Sequence, residues 1–166
     1  MRVPFVDLAT QHAMLQPALD EALQRVVRGG HFILGPEVEA FEREFAAFCG
    51  TEHGIGTGNG LDALRVALLA CGVRPGDEVI VPAHTFIATA SAVATIGAVP
   101  VLVDVRREDF LIDVEKAARA VTARTRAIVP VHLYGQPADM DAVLALAKAR
   151  GLKVVEDACQ AHGATW

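Results

Sequence analysis

After Gly50 the chain keeps repeating one pattern, short runs of β-branched and apolar residues separated by longer runs with helical periodicity. The short runs fall at 54–58, 78–82, 99–104, 127–132 and 152–156, and the helical ones at 60–71, 85–96, 113–121 and 137–150. A helix between two strands of one sheet carries the chain back to the starting edge, so successive strands run parallel. The expected fold class is therefore α/β, a largely parallel sheet with helices on both faces. With 52% hydrophobic and 21% charged residues, 166 residues suffice for a sizeable core, and the composition argues against disorder.

Two helices are expected ahead of this pattern. In residues 11–28, Leu15, Leu19, Leu23 and Val26 form a stripe that Gly29 and Gly30 would end. After a loop to Gly35, Pro36 suits a first helical position, and Glu37 and Glu39 suit the positive end of the helix dipole. Val38, Phe41, Phe45 and Phe48 then share a face that reads as core-facing, and Gly50 ends the helix. The organisation predicted is residues 1–35 as an N-terminal helix and loop, and 36–166 as the α/β part.

A net charge of −5 without a basic cluster argues against nucleic acid as a partner. Cys49, Cys71 and Cys159 are odd in number and contain no C-x-x-C pair, which predicts reduced thiols in a cytoplasmic protein, each packed in the core. The N-terminus lacks the apolar stretch of a secretory signal. Residues 79–103 contain no Asp, Glu, Lys or Arg and are long enough to span a bilayer. Pro82 and Pro100 divide the segment, however, and its ends are β-branched, so strand-helix-strand is the reading adopted and no membrane is expected.

Chemistry-bearing residues cluster where strands end. Gly56-Thr57-Gly58-Asn59-Gly60-Leu61-Asp62 is a glycine turn that opens a helix with Leu61, Leu64 and Leu68 on one face. It is either a plain turn or an anion site in which the amides of Gly60, Leu61 and Asp62 meet a phosphate. It has neither a Gly-Lys-Ser/Thr ending nor G-x-G-x-x-G spacing, which argues against a P-loop or a dinucleotide fold. Phe86 follows a strand end and could cover a flat ligand or pack in the core. Alternation sends Glu156 and Asp157 to opposite faces, so only one would face a cleft, and either could instead be a cap or surface acid. His84 reads as a structural histidine. His132, Cys159 and His162 have no metal-ligand spacing, so no metal is expected.

The segments 56–64, 82–86, 132–136 and 154–164 occur in an order that resembles the DegT/DnrJ/EryC1/StrS family of sugar aminotransferases dependent on pyridoxal 5′-phosphate (PLP), across residues 3–166. The resemblance implies a fold-type I PLP-transferase architecture. It places the cofactor phosphate on the amides of Gly60, Leu61 and Asp62, the ring against Phe86, the ring nitrogen beside Asp157 and the phenolic oxygen beside Gln160. The implied reaction moves an amino group from glutamate or glutamine to a keto sugar linked to a nucleotide, in a homodimer to whose interface residues 31–36 contribute. The segment 132–136 would shape the cleft.

The family also uses a Schiff-base lysine. Lys116, Lys148 and Lys153 all read as surface residues, and the family places its lysine in a later segment. The chain thus reads as a truncated N-terminal part of the large domain, inactive alone. Alternatives within the same resemblance are a sugar 3-dehydratase, in which histidine replaces that lysine, and a non-catalytic binding or regulatory fragment.

Overall fold

The computed structural model describes residues 3–166. These fall into two compact units, divided between Gly56 and Thr57.

In the first unit, α1 (Leu8–Gly29) starts at Asp7, whose side chain accepts the Thr10 amide, and ends at Gly30, in the left-handed region with φ 68°. α2 (Pro36–Cys49) has Pro36 at its start, Glu37 and Glu39 in its first turn and Gly50 as its left-handed C-cap. Both helices form where capping and periodicity place them.

Their apolar stripes fare differently from expectation. No residue of α1 is buried, and in α2 only Ala46 is. Phe41 and Phe45 stack with centroids 5.4 Å apart, yet Phe41 is 55% and Phe48 63% exposed. Among the described residues the unit has two helices and no sheet, and Phe41 and Phe48 stay at the surface. Cys49, expected in the core, is likewise exposed.

The strand expected at 54–58 does not form. A Cβ on Gly54 would stand 2.6 Å from the Glu42 carbonyl oxygen, and the Gly56 amide donates to Glu42 Oε1 at 2.6 Å. This backbone is committed to α2, which leaves no ladder for a strand to join.

The second unit has the predicted alternation: α3 (Gly60–Ala70), β1 (Glu78–Pro82), α4 (Ala88–Thr95), β2 (Val99–Val103), α5 (Val114–Ala120), β3 (Thr125–Ile128), α6 (Met140–Arg150) and β4 (Lys153–Val154). The strands form one sheet in the order β2-β1-β3-β4, all parallel. Val79, Val81, Ala127 and Val129 point to one face and pack under Leu64 and Leu68 of α3 and Ala92 and Val93 of α4. Ile80 and Ile128 point to the other, against Ala117 of α5 and Val143 and Ala147 of α6. Residues 79–103 are strand, helix and strand, and among the described residues no helix is long and apolar enough to cross a membrane.

β3 and β4 are shorter than the apolar runs that predict them. Pro130 has no amide to give, so the regular ladder stops. The two chains nevertheless stay side by side, with the Asp157 amide donating to Pro130 O at 2.9 Å and the His132 amide to Asp157 O at 3.0 Å.

This order positions the site. From β1 the chain goes to β2 on one side and then returns to β3 on the other, so the connections leaving the carboxyl ends of β1 and β3 diverge. Such a switch point opens a crevice. At the opposite end of the sheet, the buried Glu78 carboxylate accepts from the Thr122 hydroxyl and pairs with Arg124.

Candidate active site

A cleft of ≈ 520 Å³ opens at the carboxyl ends of the strands in the second unit. Four chain segments line it: the start of α3, the turn after β1, the chain after β3 and the loop after β4. Of the six residues singled out from the sequence, it brings together Gly60, Leu61, Phe86, Asp157 and Gln160.

Asp62 lies apart from the lining. Asn59 caps α3, its Oδ1 accepting the Asp62 amide at 2.9 Å while its Nδ2 donates to Asp62 Oδ2 at 3.0 Å. The Asp62 carboxylate also stands 3.4 Å from Arg65. Its amide, expected to meet a phosphate, is therefore already engaged. The amides of Gly60 and Leu61 are first-turn groups with no intrahelical acceptor, so the anion-binding capacity of this helix end rests on them. Gly60 leaves room for the thiol: a Cβ there would stand 2.6 Å from Cys159 Sγ, so one of the two would have to move.

Asp157 is 7% exposed. Its Oδ2 accepts from the Thr89 hydroxyl at 2.7 Å and its Oδ1 from the Cys159 amide at 3.3 Å. Thr89 is itself buried and lies 3.1 Å, hydroxyl to hydroxyl, from Thr85, which lines the cleft. The carboxylate is thus held from α4 and from its own loop. Glu156, by contrast, has a side chain 53% exposed and pairs with His132 Nε2 at 2.9 Å. His132 Nδ1 accepts the Ala138 amide at 3.0 Å, so its proton is on Nε2, donated to Glu156. The two adjacent acids engage different partners, and only Asp157 lines the cleft.

Phe86 is 70% exposed, with its ring at the cleft rather than in the core. Gln160 accepts the Tyr134 amide through Oε1 at 2.9 Å. Leu133, from the segment 132–136, lines the wall. His84 is an exposed residue, 3.3 Å from the Tyr134 hydroxyl and 5.7 Å, ring to ring, from Phe110. Cys159, expected in the core, lines the cleft, and burial, reinforced by Asp157, pushes its thiol above the ordinary range.

No lysine lines the cleft. Lys116 is held by Asp104 at 3.1 Å and Asp113 at 3.3 Å, and Lys148 and Lys153 are exposed. Among the described residues, no group of three His, Cys, Asp or Glu is arranged to hold a metal ion.

Sequence reasoning missed Thr89 and the cap at Asn59. The cap has a local signal, Asn59 followed three residues on by Asp62, a spacing typical of helix starts. Thr89 has none, because its partner is 68 residues away.

Residues 14–166 match the model of the DegT/DnrJ/EryC1/StrS aminotransferase family. A relative from Streptomyces venezuelae, dTDP-3-amino-3,4,6-trideoxy-alpha-D-glucose transaminase, is 52% identical over 99% of this chain and 44% of its own length. The X-ray structure of S. venezuelae DesV in complex with a ketimine intermediate superposes with a TM-score of 0.95 at 52% identity, covering 98% of this chain and 44% of that one. NtdA from Bacillus subtilis, with bound cofactor PMP, gives 0.93 at 40% identity, covering 99% and 38%. The chain spans less than half the length of these relatives.

Proposed function

This chain belongs to the DegT/DnrJ/EryC1/StrS aminotransferase family, whose members depend on PLP, and on that premise we propose that its cleft holds PLP and forms the cofactor-binding part of a sugar aminotransferase. The acceptor we assign is a keto sugar linked to a nucleotide, the donor glutamate or glutamine, and the working form a cytoplasmic homodimer.

One observation carries the reading. Two free helix-start amides, an aromatic face, a side-chain amide and a buried carboxylate converge on one cleft at the switch point of the sheet. The donor set fits the cofactor: anion donors for a phosphate, a carboxylate for a protonated ring nitrogen, an N–H donor for a phenolic oxygen, and a flat apolar surface for the ring.

When bound, PLP would supply the electron sink that amino transfer needs. The chain's own residues set the conditions for it. Asp157 would hold the proton on the ring nitrogen, and Thr89 together with the Cys159 amide keeps that carboxylate aimed. Gly60 and Leu61 hold the phosphate through their backbone, while the Asp62 amide stays with Asn59. Phe86 would cover one face of the ring and keep water from it, and Gln160 would donate to the phenolic oxygen.

The proton shift at the substrate carbon needs an amine, and the three lysines of this chain stand away from the cleft. The 166 residues alone therefore bind the cofactor without sustained turnover. The experiment is a chimaera in which Trp166 is followed by the C-terminal portion of the S. venezuelae relative, assayed with PLP, glutamate and nucleotide-linked keto sugars. Turnover by the chimaera and none by the 166-residue chain supports the proposal. A chimaera that folds and binds PLP but aminates no such sugar contradicts it.

A further inference from the structure

We propose that Tyr134 is a positioning residue that fixes which end of the Gln160 amide is offered to the cofactor, with His84 as its brace. The proposal rests on the PLP reading above and goes beyond it by assigning work to residues outside the cleft lining.

A backbone amide can only donate. The Gln160 atom 2.9 Å from the Tyr134 nitrogen is therefore the side-chain oxygen, and the amide orientation is settled by that bond. With its oxygen turned to the Tyr134 amide, Gln160 has its N–H donors to offer a ligand in the cleft it lines. Reversed, it would present an oxygen to the phenolic oxygen and repel it.

The Tyr134 amide sits in this place because of an uncommon backbone. Tyr134 has φ 59°, in the left-handed region, and Leu34 and Phe110 are the other non-glycine residues there among those described. A non-glycine residue adopts it at a cost, so neighbours must hold it. His84 Nε2 lies 3.3 Å from the Tyr134 hydroxyl, and the rings meet edge-on at 6.4 Å. Phe110, itself at φ 60°, packs on the same imidazole at 5.7 Å. Two of the three strained residues thus converge on one histidine, and the outcome is a donor aimed at Gln160. Buried shape does not require this, because Tyr134 is 71% exposed.

The test uses the 166-residue chain with two probes, pyridoxamine 5′-phosphate (PMP) and its 3-O-methyl ether, whose phenolic oxygen no longer carries charge. Tyr134→Val keeps the amide but puts a β-branched residue where φ is positive, and Tyr134→Gly keeps the amide and removes the strain. The loss expected in Tyr134→Val is about tenfold in PMP affinity and under about twofold for the ether, the size of one charge-assisted hydrogen bond. Tyr134→Gly should restore the preference for PMP. His84→Ala should fall between them.

A readout without cofactor accompanies these. In the free chain the Tyr134 amide should be protected from hydrogen exchange, and Gln160→Met, which has no oxygen to accept it, should remove the protection. If Tyr134→Val is too unstable to assay, His84→Ala, which leaves Gln160 and the Tyr134 amide in place, supplies the same comparison of PMP with its ether, and equal losses for the two probes overturn the role. Equal losses for the two probes in Tyr134→Val, or an unprotected Tyr134 amide in the wild-type chain, overturn the positioning role while leaving the cofactor reading intact. Failure of the wild-type chain to bind PMP, with the Tyr134 amide protected, overturns the cofactor reading and this role with it.

Discussion

The Thr89 hydroxyl donates to Asp157 Oδ2 at 2.7 Å, a buried hydrogen bond that ties α4 to the loop after β4 across 68 residues of sequence. Nearly all of the Thr89 surface is removed from solvent, so the bond has no competing water. Replacing the hydroxyl by a methyl group leaves a buried carboxylate short of a donor. Thr89→Val should therefore destabilise the second unit by about 1.5–3 kcal/mol, the range for hydrogen bonds to charged groups, whereas Thr89→Ser should cost less. Urea denaturation of the three proteins measures this, and equal midpoints for wild type and Thr89→Val would show that the bond contributes nothing.

Gly60 and Cys159 should be energetically coupled. The 2.6 Å that a Gly60 Cβ would have to Cys159 Sγ is too short for any real contact, so Gly60→Ala must displace the thiol or the start of α3. The expected cost is about 1–3 kcal/mol. Removing Sγ in a Gly60→Ala/Cys159→Ala double variant should recover most of it. A double-mutant cycle by urea denaturation reads the coupling, and strict additivity would mean that the two residues do not meet.

Much of this architecture is legible in the sequence because it is local. The limits of β1 coincide with the predicted 78–82, and α3 and α6 start behind Asn59 and Asp139, whose side chains cap them. What the sequence hides is what depends on partners. The run 54–58 has strand composition, but Gly54 and Gly56 serve a close approach to Glu42, which periodicity does not encode. The α2 phenylalanines have core spacing, yet burial depends on a second surface that the spacing cannot supply. Within the cleft, strand alternation separates Glu156 from Asp157, while one of the two donors that orient Asp157, the Thr89 hydroxyl, comes from a helix far away in the chain.

Stability should depend on acid through Glu78. The Thr122 hydroxyl first, and then Arg124, hold its carboxyl below the ordinary 4.5. A folded value below the unfolded one contributes stability that is fully present above about pH 4.5 and is lost as pH falls through the lower folded value. Urea midpoints measured from neutral pH downward should drop in the wild-type protein through this window, with a shallower drop in Glu78→Gln. Parallel curves for the two proteins would remove Glu78 from the account.

In the chimaera, Asp157→Asn should lower kcat by about 100-fold or more with PLP still bound, because the phosphate amides and the ring contacts remain while the charge beside the ring nitrogen is gone. Glu156→Gln should have a smaller effect, since Glu156 faces His132. A nearly silent Asp157→Asn with an inactive Glu156→Gln would reverse the assignment of the two acids.

If the cleft at the carboxyl ends of β1, β3 and β4 is the cofactor site, amide resonances of the isotopically labelled chain will report it on titration with PMP. Saturable shifts are expected at Gly60, Leu61, Phe86, Asp157 and Gln160, with the Asp62 amide, held by Asn59, moving less than the amides of Gly60 and Leu61, and Thr125 at the far end of the sheet unmoved. Shifts centred instead on the charged groove around Arg106, Arg107 and Lys116, with Gly60 and Leu61 unchanged, would contradict it.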